Sequence, residues 1–179
     1  FDGAYMMARL VDYIVEHLSQ QIKAGCDTVQ VFDSWASDLG EEHIIPYCYE
    51  PTAQIVERLR ALHPDVGIIV FPRLIGEEIN NFSKYVNADC ISLSDDMKTD
   101  WILKRMGHQC LQGGIPPQVL LSEHREDILR GTVPMIRQMK DCAYVVNLAH
   151  GINKETPVEN VRFFIEIVKR NRENITRET

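Results

Sequence analysis

An α/β fold built on a parallel sheet is what this sequence predicts, and three observations carry the expectation. Short apolar runs alternate strictly with amphipathic segments along the 179 residues. Several runs are apolar throughout, as strands covered on both faces require, and the connections are short. The composition, 45% apolar and 25% charged, is that of an ordinary globular chain long enough for a substantial core.

Each element follows from local pattern. Residues 4–24 carry Met7, Leu10, Val11, Ile14, Leu18 and Ile22 at helical steps, and Gly25 supplies the stop. The stretch 26–34, "CDTVQVFDS", reads as a strand through Val29, Val31 and Phe32. Past a loop at Gly40, residues 42–62 are helical, with Pro51 opening the longer part and Ile55, Val56, Leu59 and Leu62 forming its apolar face. "VGIIVFP" (66–72) is a strand, 76–87 a short helix on Ile79, Phe82 and Val86, and "DCISLS" (89–94) a strand. A short helix around Trp101 fills 96–106, and "QCLQGGI" (109–115) is a strand running into a Gly-Gly bend, which can shape the turn or let a ligand near the backbone. Residues 122–139 are helical, and Pro134 should kink or split them. "AYVVNLAH" (143–150) is the last strand. The closing helix starts with Thr156 as N-cap, Pro157 at the first helical position and Glu159 completing a capping box. Val161, Phe164, Ile165 and Val168 form its buried face, and the tail "KRNRENITRET" reads as a solvated helix end.

The order is therefore one helix followed by five β-α units. A complete barrel of such units needs roughly 250 residues, so the residues allow either an open five-stranded sheet or part of a barrel. The chain opens on Phe-Asp-Gly without a starting methionine, which points to a truncated chain.

Charge and cysteines narrow the setting. A formal charge of -7 speaks against nucleic acid and against an anionic membrane surface, since both ask for a basic footprint. No run approaches the roughly 20 apolar residues of a membrane span, and no secretion signal is visible. The five cysteines are odd in number, widely spaced and without a C-x-x-C, which favours free thiols in a reducing, cytoplasmic compartment. The sequons at Asn81 and Asn174 then read as chance matches. No H-x-x-x-H, Walker loop, G-x-S-x-G elbow or Gly-x-Gly-x-x-Gly is present.

In parallel sheets the chemistry gathers at the C-terminal strand ends. Those ends carry Phe32, Asp33, Ser34 and Trp35; then Arg73; then Ser92, Ser94 and Asp95; then Gln112, Gly113 and Gly114; then Asn147, His150 and Gly151. Ser34 can cap or serve a site, and Asp33 is expected to bond backbone in its turn. Asp95 and Asp96 are expected to cap the next helix, while Arg73, directly after a buried strand, leans towards an anion clamp. His150 stands open between a turn histidine and a working group. The other histidines, on helices and connections, receive no site role.

"AGCDTVQVFDSWAS", "YEPTAQIVERLR", "IIVFPRLIG", "LQGGIPPQVLL" and "YVVNLAHGINKETPVENVRFFIEIVK" together resemble the C-terminal half of the uroporphyrinogen decarboxylase family. The resemblance covers essentially the whole chain, in the same motif order and spacing. It implies that residues 1–179 are the C-terminal portion of a single (β/α)8 TIM-barrel domain, with about five β-α units present, in a cytoplasmic homodimer that needs no metal or organic cofactor. It implies removal of four acetate carboxylates from uroporphyrinogen III to give coproporphyrinogen III. Ser34 matches the family serine that hydrogen-bonds a substrate carboxylate, His150 the histidine that lines the cleft and contacts substrate, and Phe32 an aromatic wall position. The family's Arg-containing segment, its central Asp and its catalytic Tyr precede this region, so no catalytic residue is assigned here. The departures are Ser37 in place of a glycine, "LQGGIPP" in place of "LQGNLDP", and Ala149 in place of a glycine.

Two functional readings follow. In the first, the chain is part of a decarboxylase that is inactive without its preceding half and associates with that segment or with a second copy. In the second it is a non-catalytic partial-barrel binding module completed by another chain. A related corrinoid or thiol methyltransferase would place His and Cys zinc ligands after the strand ending "VFPRLIG", where neither residue occurs.

Overall fold

The computed structural model describes residues 3–178, with side chains as far as residue 171. It is an α/β structure whose strands follow one another in sequence order, β1 through β5, in a parallel sheet. The chain divides into two compact units, Phe1–Ile91 and Ser92–Thr179, with the boundary inside the third strand.

The first unit opens with α1 (Gly3–Lys23), and Gly25, at φ +109°, takes the positive-φ conformation that ends it. The buried face of α1 is Val11, Val15, Leu18 and Ser19, set by its packing on α3 (Glu50–Leu62). Leu10, expected inside, lies off that stripe and is 48% exposed. Arg58 of α3 crosses to Asp12 of α1 at 2.8 Å. Strand β1 (Thr28–Asp33) pairs with β2 (Gly67–Pro72) from Thr28↔Gly67 to Asp33↔Pro72. Val29, Val31, Ile68 and Val70 are buried, each such side chain contributing about 1.5–3 kcal/mol.

Between β1 and α3 the helical run is irregular. Glu41–Ile44 is α-helical (α2), Ile45–Tyr49 winds as a π-helix, and α3 follows without a break. Leu62, expected on the apolar face, is at the exposed end of α3. Helix α4 (Ile79–Val86) buries Ile79, Phe82 and Val86 as expected, and closes on Asn87 in the left-handed region. Strand β3 (Cys90–Leu93) pairs with β2 through Ile69↔Cys90. Just before it, the Asp89 carboxylate accepts the Ile68 amide at 2.8 Å and meets Arg60 at 3.2 Å.

The second unit contains α5 (Thr99–Met106), β4 (Cys110–Gly113), α6 (Arg125–Gln138), β5 (Tyr144–Val145) and α7 (Val158–Glu178). A core cluster of Ile115, Leu120, Ile128, Phe164 and Ile167 joins the segment after β4 to α6 and α7.

Four expectations are corrected here. Helix α5 begins at Thr99 with Lys98 in the cap position, because the chain stays extended there, so neither Asp95 nor Asp96 is its cap residue. Pro134 does not split α6: the helix runs unbroken from Arg125 to Gln138 with the proline ring on its exposed side, clear of the core. The capping box of α7 does not form: Thr156 Oγ1 is buried without a partner, and Glu159 turns to Arg162 at 2.7 Å. Among the described residues of α7 the buried side chains are Phe164 and Ile167, while Ile165 is exposed. The tail beyond residue 171 continues the helix, and its solvation lies outside the described side chains.

Candidate functional site

The C-terminal end of β1 is built by alternation. Successive side chains of a strand point to opposite faces. Val29 and Val31 point into the helix-covered core, and Asp33 follows in the same parity, half-buried. Phe32 takes the other face and is 65% exposed, its ring edge-on to Phe71 at 6.2 Å. Ser34 comes next, half-buried, in the turn before Trp35, which is 73% exposed. The strand therefore presents an aromatic ring and a hydroxyl at its mouth while a carboxylate is held beneath.

The Trp35 backbone and the Cys48 thiol of the π-helical segment lie near that carboxylate and favour its charged form. Burial, which dominates, raises the Asp33 pKa above its ordinary value, and the two neighbours oppose the rise. Cys48 is 1% exposed, and burial followed by the nearby Asp33 pushes its thiol pKa upward, so it stays protonated. Next to it, the Tyr49 hydroxyl donates to Glu78 Oε2 at 2.9 Å and to the Glu78 carbonyl at 3.0 Å. Burial first, then Glu78, raises the Tyr49 pKa. The Tyr49 ring packs edge-on to Phe82 at 5.2 Å. Sequence reasoning missed this support. The signal available was parity: Asp33 continues the Val29 and Val31 face, and a carboxylate there requires a donor.

Arg73 follows directly on the β2 residue paired with Asp33, and its amide donates to the Asp33 carbonyl at 3.0 Å. Phe32, Ser34 and Arg73 thus gather at two neighbouring strand ends. A cavity of about 610 Å³ opens nearby, lined by Ser37, Leu39, Glu41, Ile45, Tyr49, Leu74, Glu78 and Asn81 among others. Its charged lining residues are the two glutamates, so it disfavours a polyanion.

In the second unit the strand ends are mostly structural. Gln112 Nε2 donates to Ser92 Oγ at 3.2 Å, both residues buried. Gly113 and Gly114 sit at φ +80° and +86°. A Cβ on Gly113 would lie 3.0 Å from the Leu93 carbonyl and 3.1 Å from the Leu148 carbonyl. The Tyr144 hydroxyl, its pKa raised by burial, donates to the Gly113 carbonyl at 2.6 Å.

His150 does not end a long strand. The ladder of β5 stops at Val145, with a single further bridge, Ile115↔Leu148. Asn147 explains the exit, since its Oδ1 takes the Leu148 amide at 2.8 Å, a local bond that competes with strand pairing. His150 lies beyond, exposed, with Nδ1 3.2 Å from the Gly151 carbonyl. With the proton on Nδ1 that contact is a donated hydrogen bond, and a protonated ring also offers Nε2–H to an anion. Phe32 and Ser34 belong to the first unit, His150 to the second.

No disulfide forms among the described cysteines, with Cys26 exposed and Cys48 and Cys90 buried. Among the described residues no three His, Cys, Asp or Glu side chains converge as metal ligands, and no helix is long and apolar enough to cross a membrane.

Comparison with known proteins places this architecture. The family model described as Uroporphyrinogen decarboxylase (URO-D) matches residues 4–171. A protein named uroporphyrinogen decarboxylase from Cereibacter sphaeroides (strain ATCC 17025 / ATH 2.4.3) is 31% identical over 166 residues, covering 92% of this chain and 48% of its own length. One of the same name from Orientia tsutsugamushi (strain Boryong) is 34% identical over 160 residues, 89% of this chain and 47% of that protein. Another from Paracoccus denitrificans (strain Pd 1222) is 31% identical over 167 residues, 93% and 48%. The chain spans about half the length of the curated relatives it matches.

Proposed function

This chain belongs to the uroporphyrinogen decarboxylase family, a TIM-barrel family of decarboxylases, and from that premise we propose that it supplies part of the substrate cleft of such an enzyme. The reaction is loss of four acetate carboxylates from uroporphyrinogen III, giving coproporphyrinogen III. For each acetate, a proton added to a pyrrole ring carbon creates an electron sink, and the acetate C–C bond breaks to release carbon dioxide. Its electron pair flows to the ring. The exocyclic carbon then takes a proton to become a methyl group, and the ring carbon loses its own. No metal or organic cofactor is required by this sequence of proton transfers.

The observation that carries the reading is the β1 mouth, where Phe32 is exposed beside Ser34 and Arg73 follows on the neighbouring strand. Phe32 offers a flat apolar wall for a pyrrole ring. Ser34 donates to a substrate carboxylate. His150, exposed after β5 in the second unit, is taken separately as a substrate contact on the family resemblance. The acidic cavity lined by Glu41 and Glu78 is not the place for a substrate with eight carboxylates.

The test uses uroporphyrinogen III under anaerobic conditions, with porphyrins separated after oxidation. The chain alone is expected to release no carbon dioxide. Joined to the preceding half of the Paracoccus denitrificans relative, it is expected to form coproporphyrinogen. In that protein Ser34→Ala and His150→Ala should each lower kcat/KM by roughly tenfold or more, the worth of one hydrogen bond to a charged group. Uroporphyrin binding, read by fluorescence, checks the same variants without turnover. A folded joined protein that neither binds nor decarboxylates would overturn the reading and favour a non-catalytic barrel module.

A further inference from the structure

We propose that Tyr144 is a positioning residue for His150, acting through the bend at 113–115 on which the chain carrying that histidine is docked. The inference rests on the reading of His150 as a substrate contact, and it adds a residue behind it that the reading does not itself use.

The seat is made of backbone. Ile115 bridges Leu148 in parallel, and the Ala149 amide donates to the Ile115 carbonyl at 2.7 Å. His150 is the next residue, so its main chain leaves from an amide that the bend fixes. The contact continues one step back. A Cβ on Gly113 would lie 3.1 Å from the Leu148 carbonyl, so the two chains touch there with no side chain between them. Ala149 is 2% exposed and Ile115 is fully buried, whereas His150 is exposed. The histidine is thus the first residue past a buried dock, and a shift of the bend shifts the histidine with it.

The bend needs restraint because two glycines build it. Gly113 and Gly114 sit at φ +80° and +86°, and glycine has the most backbone freedom to lose. Two bonds hold the pair. The Gly114 amide donates to the Leu93 carbonyl at 3.0 Å, and the Gly113 carbonyl accepts the Tyr144 hydroxyl at 2.6 Å. The segment beyond is held separately. Ile115 and Leu120 are in the core cluster with Phe164 and Ile167, and Asn160 Nδ2 donates to the Leu120 and Ser122 carbonyls at 2.8 and 2.9 Å. Tyr144 acts at the point where pairing gives out. The β4–β5 ladder ends at Gln112↔Val145, and Gly113 is the next residue. Tyr144 also belongs to the strand that leads to His150. Its hydroxyl therefore ties the strand that delivers the histidine to the bend that receives it, across the interruption of the ladder.

The experiment uses Tyr144→Phe, which removes one oxygen atom and keeps the ring. Amide hydrogen exchange on the 179-residue chain reads the seat without substrate. The Ala149 and Gly114 amides should exchange roughly fivefold faster, the loss expected for one hydrogen bond, while the amides of α1 and α6 keep their wild-type rates. In the decarboxylating joined protein, Tyr144→Phe should raise KM for uroporphyrinogen by roughly two- to fivefold on the same scale. Combined with His150→Ala, it should add nothing to the loss in kcat/KM, because both act through one contact. Unchanged exchange at Ala149 and Gly114 overturns the proposal. So does faster exchange spread evenly over Ser92–Thr179, the mark of ordinary packing loss. Losses in kcat/KM that simply add in the double variant overturn it too, since Tyr144 would then act elsewhere than through His150. If exchange responds but His150→Ala leaves kcat/KM intact, the substrate role of His150 falls and the seat under it stands.

Discussion

Asp33 shows how one side chain can be read from sequence only in part. A role beside the backbone of its own turn was legible, because an Asp in a turn reaches backbone two residues on, and the Trp35 backbone does lower its pKa. The influence of Cys48 was not, since nothing periodic links a strand end to a cysteine in a later helical segment. The position has a pH consequence with a definite sign. Burial lifts the folded-state pKa of Asp33 above the ordinary 3.8, so the folded chain holds that proton more tightly than the unfolded chain does. The stability it contributes is fully present below the unfolded value and is lost as pH rises through the higher folded one. Asp33→Asn cannot ionise and keeps a side chain of the same size with an acceptor oxygen. Its thermal midpoint should therefore gain on wild type as pH is raised from 3.8 upward. Parallel midpoint curves for the two proteins would contradict a desolvated carboxylate at this position.

Elements were legible where periodicity was strong and lost where a local bond outcompeted it. The α4 face of Ile79, Phe82 and Val86 stands as the helical spacing implied. The last strand does not: residues 143–150 read as one apolar run, yet only Tyr144 and Val145 stay in the ladder once Asn147 takes the Leu148 amide. The sequence at Thr156 to Glu159 matches a capping box, but Glu159 finds Arg162 one turn on and the box is left open. Of the two roles open to the Gly-Gly bend after β4, the structure shows the shaping of the turn. Gly113 combines φ +80° with carbonyls at 3.0 and 3.1 Å from a would-be Cβ, and Tyr144 ties its own carbonyl. Gly113→Ala should destabilise the chain by on the order of 1–3 kcal/mol in denaturant unfolding. A variant within experimental error of wild type would show that the bend relaxes freely.

For the molecule as a whole, the sheet order leaves β1 and β5 as its edges, and Phe32, Trp35 and Val145 stand exposed on or beside them. Unpaired strand edges with apolar neighbours are templates for further pairing. We expect the isolated chain to sediment as an assembly heavier than the monomer, and to form a defined complex when produced with the preceding half of a relative. A stable, monodisperse monomer in sedimentation would refute this. Fold class, strand order and family were already present in the residues, because hydrophobic alternation is local and the motifs near Phe32, Gly113 and His150 keep their order and spacing along the chain. Which face each helix buries and which thiol lies near the β1 turn depend on residues distant in sequence, and where β5 ends depends on a local bond outcompeting the ladder. Those features are set by packing and by competition among hydrogen bonds, so they became readable only when the folded chain brought the competing groups together.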